Sequence, residues 1–215
     1  MVRIVGGVTL VALAAGLMMA FGVAPREVTQ GNVQRIMYVH VPSVWVAYLA
    51  FAVVLVASIV YLARRVDSAD RLAHASAEVG VLFTGLTIAT GSIWGKPTWG
   101  TWWTWDARLT SVSILFVMYL GYLLLRSMIE DPDQGARYAA VLGIVAAFNI
   151  PLVHFSVYWW RTLHQPPSLM KPGPGTMPGV IVAALMVNFV AFSLLYVYFV
   201  AKRVHLLRRE AEAAA

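Results

Sequence analysis

The chain has no cysteine among its 215 residues. Disulfides, thiolate catalysis and cysteine-ligated zinc or iron–sulfur centres are therefore excluded. Charge is scarce as well. Asp, Glu, Lys and Arg make up 12% of the chain, against roughly 25% in a soluble domain. No internal repeat and no stretch long and polar enough for a soluble domain is present. A nucleotide-binding loop is missing too, although Gly95-Lys96 resembles the end of one. That motif needs a glycine at position 90, which is Thr, and Ser or Thr at position 97, which is Pro.

What is there is apolar: 60% of residues are hydrophobic, where about 45–50% is ordinary. A bilayer core about 30 Å thick takes roughly 20 apolar residues in a helix, the one open form that satisfies its own backbone in lipid. Six segments qualify, near 4–23, 41–63, 74–94, 108–126, 137–157 and 178–201. Polar or Pro/Gly-containing punctuation separates them: APREVTQGN, RRVDSADR, the stretch around WGKPTWGTWWTWD, EDPDQG and QPPSLMKPGPGTMPG. The first segment has features of a signal peptide, with Arg3 before it and Gly22-Val23-Ala24 after it. Its apolar run is long for that, and it is read as a retained helix. The expected fold is an all-α integral membrane protein, a single domain over 1–215 with six transmembrane helices.

The net charge of +6 could point to nucleic acid, but its distribution points to topology. With the N-terminus inside, ten basic residues are inner: Arg3, Arg64, Arg65, Arg71, Arg126, Arg137, Lys202, Arg203, Arg208 and Arg209. Six are outer: Arg26, Arg35, Lys96, Arg108, Arg161 and Lys171. The positive-inside rule then gives both termini inside, and no nucleic-acid partner is called for.

All eight tryptophans fall in the outer half, five of them at 94, 99, 102, 103 and 105. An interfacial aromatic belt would populate both interfaces. Trp also suits the face of a large flat apolar ligand. Composition leaves anchor and ligand platform both open. His40, at the outer start of span two, and His164, in the loop after span five, flank the Trp-rich segment. Paired on an aromatic platform they would describe a bis-histidine haem site, although a lone loop histidine is usually structural. His154 is expected to pack near Pro151, which should kink span five. His74 sits four residues before Glu78 and should pair with it, and His205 belongs to the basic tail. Asp106 is expected to cap the next helix. Asn149, Asn188 and Glu78 should hydrogen-bond other helices.

WGKPTWGTWWTWDARLT, residues 94–110, resembles the signature of the WWD family of haem-handling membrane proteins. MYVHVP around His40 and HFSVYWWRTLHQ at 154–165 resemble that family's two histidine-bearing segments, and the small six-span layout is similar to its C type, which acts in c-type cytochrome maturation. The resemblance implies haem b held at the outer face of a bacterial cytoplasmic membrane, with His40 and His164 as axial ligands to its iron. The external loop at about 94–108, carrying Trp94, Trp99, Trp102, Trp103, Trp105, Asp106 and Arg108, would cradle the macrocycle. Lys96, Arg108 or Arg161 could meet its propionates. It further implies transfer to a periplasmic haem chaperone. Other expected partners are a small single-span accessory membrane protein, ABC transporter permease and ATPase subunits, and membrane lipid. The chain supplies no nucleophile, so a delivery scaffold is expected over an enzyme. The alternatives are a membrane b-type cytochrome and a haem-free permease subunit.

Overall fold

The computed structural model describes residues 2–166 and 177–214. Lys171 and most of the expected QPPSLMKPGPGTMPG loop lie outside the described residues. Helix α1 (Val2–Met18) runs into a π-helical turn, Met19–Val23. A 3-10 turn, Val33–Ile36, leads into α2 (Met37–Arg64). Then follow α3 (Asp67–Trp99), α4 (Ala107–Met128), α5 (Pro132–Ala147), α6 (Asn149–Trp159) and α7 (Gly179–Ala214). Six helical stretches are long and apolar enough to cross a membrane, and no strand occurs among the described residues. The protein is an all-α membrane protein. An even number of crossings brings both ends of the chain to the same end of the bundle.

The fifth crossing is two helices. Pro151 has no N–H for the carbonyl of Ala147, so the helix breaks at Phe148 and restarts, as the proline predicts. Asn149, at the break, donates to the Ser111 carbonyl of α4 at 2.7 Å. The third crossing is longer than its apolar stretch at both ends. Asp67 and Asp70 suit the first turn of α3 electrostatically. At its far end the helix continues through Pro97 to Trp99, five residues beyond the expected limit. The Thr98 hydroxyl bonds the Trp94 carbonyl at 2.8 Å, and the Gly100 N–H bonds the Lys96 carbonyl at 3.0 Å. Gly100, at φ 80°, then closes the helix in the left-handed conformation that glycine adopts freely.

Helices α2 and α3 form a tight hairpin at the centre. A Cβ on Gly80 would run into the Phe51 ring, so only glycine admits this approach. Phe51 stacks on Tyr119 of α4 at 3.7 Å between ring centroids, and the Tyr119 hydroxyl bonds the Gly143 carbonyl of α5. Helix α1 packs along α7, where Asn188 donates to the Gly16 carbonyl at 3.1 Å. Small residues and interhelical hydrogen bonds of this kind join helices where lipid removes the hydrophobic drive.

The end of the bundle bearing the termini is tied by ion pairs. Arg126 of α4 makes a bidentate bond to Asp70 of α3, at 2.6 and 2.7 Å. Arg203 of α7 does the same to Glu78 of α3, at 2.6 and 2.9 Å. His74 adds its Nε2 to Glu78 at 3.2 Å, the pairing its spacing predicts. The opposite end carries the tryptophans, His40 and His164.

Candidate functional site

His40 is in the first turn of α2 and not in a loop, because residues 33–36 already wind into helix ahead of it. Pro42, buried two residues on, lies inside α2 and has no N–H to offer the Tyr38 carbonyl. The His40 Nδ1 lies 3.0 Å from the Thr90 hydroxyl of α3. Its ring meets Trp94 edge-on, with centroids 5.7 Å apart. Trp94 is held in turn by its indole N–H, which donates to Gln30 at 2.9 Å. The Gln30 loop is shaped locally: Glu27 accepts from the Thr29 and Gln30 N–H groups, and Gly31 has φ 60°.

His164 is in the segment after α6, as expected. Its ring lies edge-on to Trp99, with centroids 4.7 Å apart. The chain on its N-terminal side is fixed by Asp106. One carboxylate oxygen caps α4, accepting the Leu109 N–H at 2.8 Å. The other accepts the Leu163 N–H at 2.9 Å. Burial and the neighbouring Arg108 guanidinium lower the pKa of His164 to about 4, with His40 adding to the effect and Asp106 opposing it. The imidazole is therefore neutral at ordinary pH and keeps a lone pair for a metal.

His40, Trp94, Trp99, Arg108 and His164 line one cleft of about 1010 Å³, part of it open to solvent. A deeper pocket of about 610 Å³, also partly open to solvent, shares His40, Arg108 and His164 and continues between apolar side chains such as Val44, Ile88, Val112 and Val153. Gln30, Met37, Gly91 and Leu185 are among the other residues that line the cleft. The sequence does not mark these four as site residues. Gln30 falls in the polar APREVTQGN spacer, and Met37, Gly91 and Leu185 carry no signal that sets them apart from packing residues.

The Trp-rich segment divides in two. Trp94 and Trp99 belong to α3 and wall the cleft. Trp102 and Trp105 do not line it, and are 55% and 77% exposed. Trp103 lies partly buried between them, edge-on to Trp105 at 5.5 Å. Lys96 donates to the Gly100 carbonyl, and Arg161 is exposed outside the cleft, so Arg108 is the one of the three candidate cations that faces it. His154 packs against Tyr48 and Phe155.

Among the described residues, no three His, Asp or Glu side chains converge as a bare metal ion would require. Two histidines suffice for an iron whose other positions a macrocycle fills. Aromatic walls, an apolar interior and one guanidinium fit a flat apolar ligand with an acidic edge. The donor set thus fits haem.

Sequence comparison points the same way. The profile of Heme exporter protein C matches residues 1–215. A Heme exporter protein C from Bradyrhizobium diazoefficiens is 45% identical over 203 residues, covering 94% of this chain and 77% of the relative. Another from Haemophilus influenzae is 40% identical over 206 residues, covering 95% and 84%. A ccmC-like mitochondrial protein of cytochrome c biosynthesis from Marchantia polymorpha is 36% identical over 187 residues, covering 87% and 79%. With two histidines and two tryptophans on one cleft of a six-span bundle, and with matches over nearly its whole length, the chain belongs to the heme exporter protein C family, which handles haem for cytochrome c maturation.

Proposed function

We propose that the chain holds haem b as cargo between His40 and His164, at the outer face of a bacterial cytoplasmic membrane, and passes it to a periplasmic haem chaperone. The observation that carries this reading is the meeting of two histidines, from a helix and from a distant loop, on one aromatic cleft. Bound there, haem would supply an iron for which His40 and His164 would each offer a neutral imidazole. Trp94 and Trp99 cover its faces. Arg108 meets a propionate through a charge-assisted hydrogen bond. Asp106 holds the His164 segment.

Trp102 and Trp105 have a different part in this reading. They stand on the outer surface beside the cleft, where exposed Trp suits contact with a partner protein. The chaperone docks on them and takes the cargo through the open side. A single-span accessory protein, an ABC permease and an ATPase subunit, each a separate chain, complete the assembly. The chain acts as a delivery scaffold: its residues bind, orient and release.

Visible spectra of protein purified after haem-replete expression test the reading. Wild type should show a bis-histidine spectrum, and His40→Ala and His164→Ala should each lose it. Trp99→Ala should shed haem, while Trp105→Ala should keep the spectrum and slow transfer to purified chaperone. Unchanged axial ligation in both histidine variants refutes the ligand assignment.

A further inference from the structure

His40 rests on the Thr90–Trp94 part of α3. The Thr90 hydroxyl lies 2.7 Å from the Leu86 carbonyl, the back-bond a helical Thr often makes. It also lies 3.3 Å from the Thr87 carbonyl. Carbonyls only accept, so the single hydroxyl proton of Thr90 is directed at the helix backbone. The same oxygen is 3.0 Å from the Nδ1 of His40. With its proton spent, it accepts there, and Nδ1 carries the hydrogen. A neutral imidazole protonated on Nδ1 has its lone pair on Nε2.

Gly91 makes room for that ring. A Cβ at Gly91 would stand 2.9 Å from the His40 Cε1 and 3.5 Å from Nδ1. Only glycine lets the imidazole lie so close to α3. Trp94, three residues further on, closes another side edge-on. Thr90, Gly91 and Trp94 fall on one face of α3 and hold the ring where His40 lines the cleft.

We propose that Thr90 and Gly91 form a seat for His40, with Thr90 the positioning residue that sets its tautomer and presents Nε2 to haem iron. The proposal rests on the reading that His40 is an axial ligand. A hydrogen bond to the far nitrogen orients a metal-bound imidazole and raises its basicity, and such partners are typically worth about 10–100-fold in metal affinity. A neutral hydroxyl belongs at the weak end of that range.

The test starts with the haem-free full-length protein. Ring ¹⁵N NMR, assigned with His40→Ala, should show wild-type His40 protonated on Nδ1 and unprotonated on Nε2. Thr90→Val should abolish that preference, and Thr90→Ser should retain it. In the haem-loaded protein, Thr90→Val should speed haem loss roughly tenfold and raise the midpoint potential, because a less basic imidazole favours ferric iron less. Thr90→Ser should restore both. Gly91→Ala should weaken the His40 ligation signature while thermal unfolding of the haem-free protein stays near wild type. An unchanged tautomer and unchanged haem loss in Thr90→Val overturn the seat. Loss of the Nδ1 preference with unaltered ligation in His40→Ala instead leaves the seat standing and overturns the ligand role.

Discussion

At the scale of single residues, the two histidines are held by different means. His40 lies against a helix with a hydroxyl on one nitrogen. His164 is kept neutral by its surroundings, chiefly burial and then the charge of Arg108. The sign of that effect can be followed through pH. The folded protein holds His164 at about 4, below the ordinary 6.5. Between those values the unfolded chain takes up a proton that the folded one refuses. The stability that His164 contributes is thus fully present above about 6.5 and is lost as pH falls towards 4. An NMR titration of His164 in the haem-free protein, assigned with His164→Ala, should give a midpoint near 4. Arg108→Gln should shift it upwards, since one of the two main causes is removed. A wild-type midpoint near 6.5 would show that the imidazole is solvated and charged whenever the medium is mildly acidic. The tryptophans stand out in the sequence because all eight fall in the outer half, and His40 and His164 because they flank the Trp-rich segment. Thr90 and Gly91 do not, because a Thr and a Gly on an apolar helix are usually packing residues, and only the placement of the His40 ring gives them a task.

At the scale of elements, legibility follows the strength of the local signal. Six crossings could be read because apolar length fixes them. The break at Phe148 could be read because Pro151 removes a specific hydrogen bond. The end of α3 could not, since Gly95 and Pro97 both argue for a loop. Pro97 is accommodated because its fixed φ is helical and the turn around it is closed by Thr98 and Gly100. This moves Trp94 and Trp99 from a loop onto a rigid helix, and leaves Trp102 to Trp105 as the true connection. Asp106 joins two elements at once, capping α4 and holding the segment before His164. Asp106→Asn has one acceptor oxygen left for two N–H donors. Since Asn is as good a cap as Asp, the tether to Leu163 should be the bond that is lost. The variant should unfold near the wild-type temperature yet release haem faster. Asp106→Ala should release haem faster too, and lose about 1 kcal/mol of stability with the cap. Equal haem retention in both variants and wild type would mean that the His164 segment is fixed by something other than this carboxylate.

At the scale of the whole molecule, the two ends of the bundle are built differently. One end is locked by bidentate Arg–carboxylate pairs between α3, α4 and α7. The other is an open cleft whose second histidine comes from a loop. Helix α4 is fixed at both ends, by Asp106 above and Arg126 below, although few of its side chains are buried. A bundle fastened at one end can keep its helices in register while the opposite end exchanges a ligand. The basic residues favour the locked end as cytoplasmic, ten against six. The absence of cysteine makes that orientation directly measurable, because any thiol introduced is the sole one. Lys96 and Arg209 are both exposed and stand at opposite ends of the bundle. In intact cells whose outer membrane has been permeabilised, a membrane-impermeant maleimide should label Lys96→Cys. Arg209→Cys should react only after the inner membrane is disrupted. The reverse pattern would turn the cleft towards the cytoplasm, where a periplasmic acceptor could not reach it, and the delivery reading would fall with the topology.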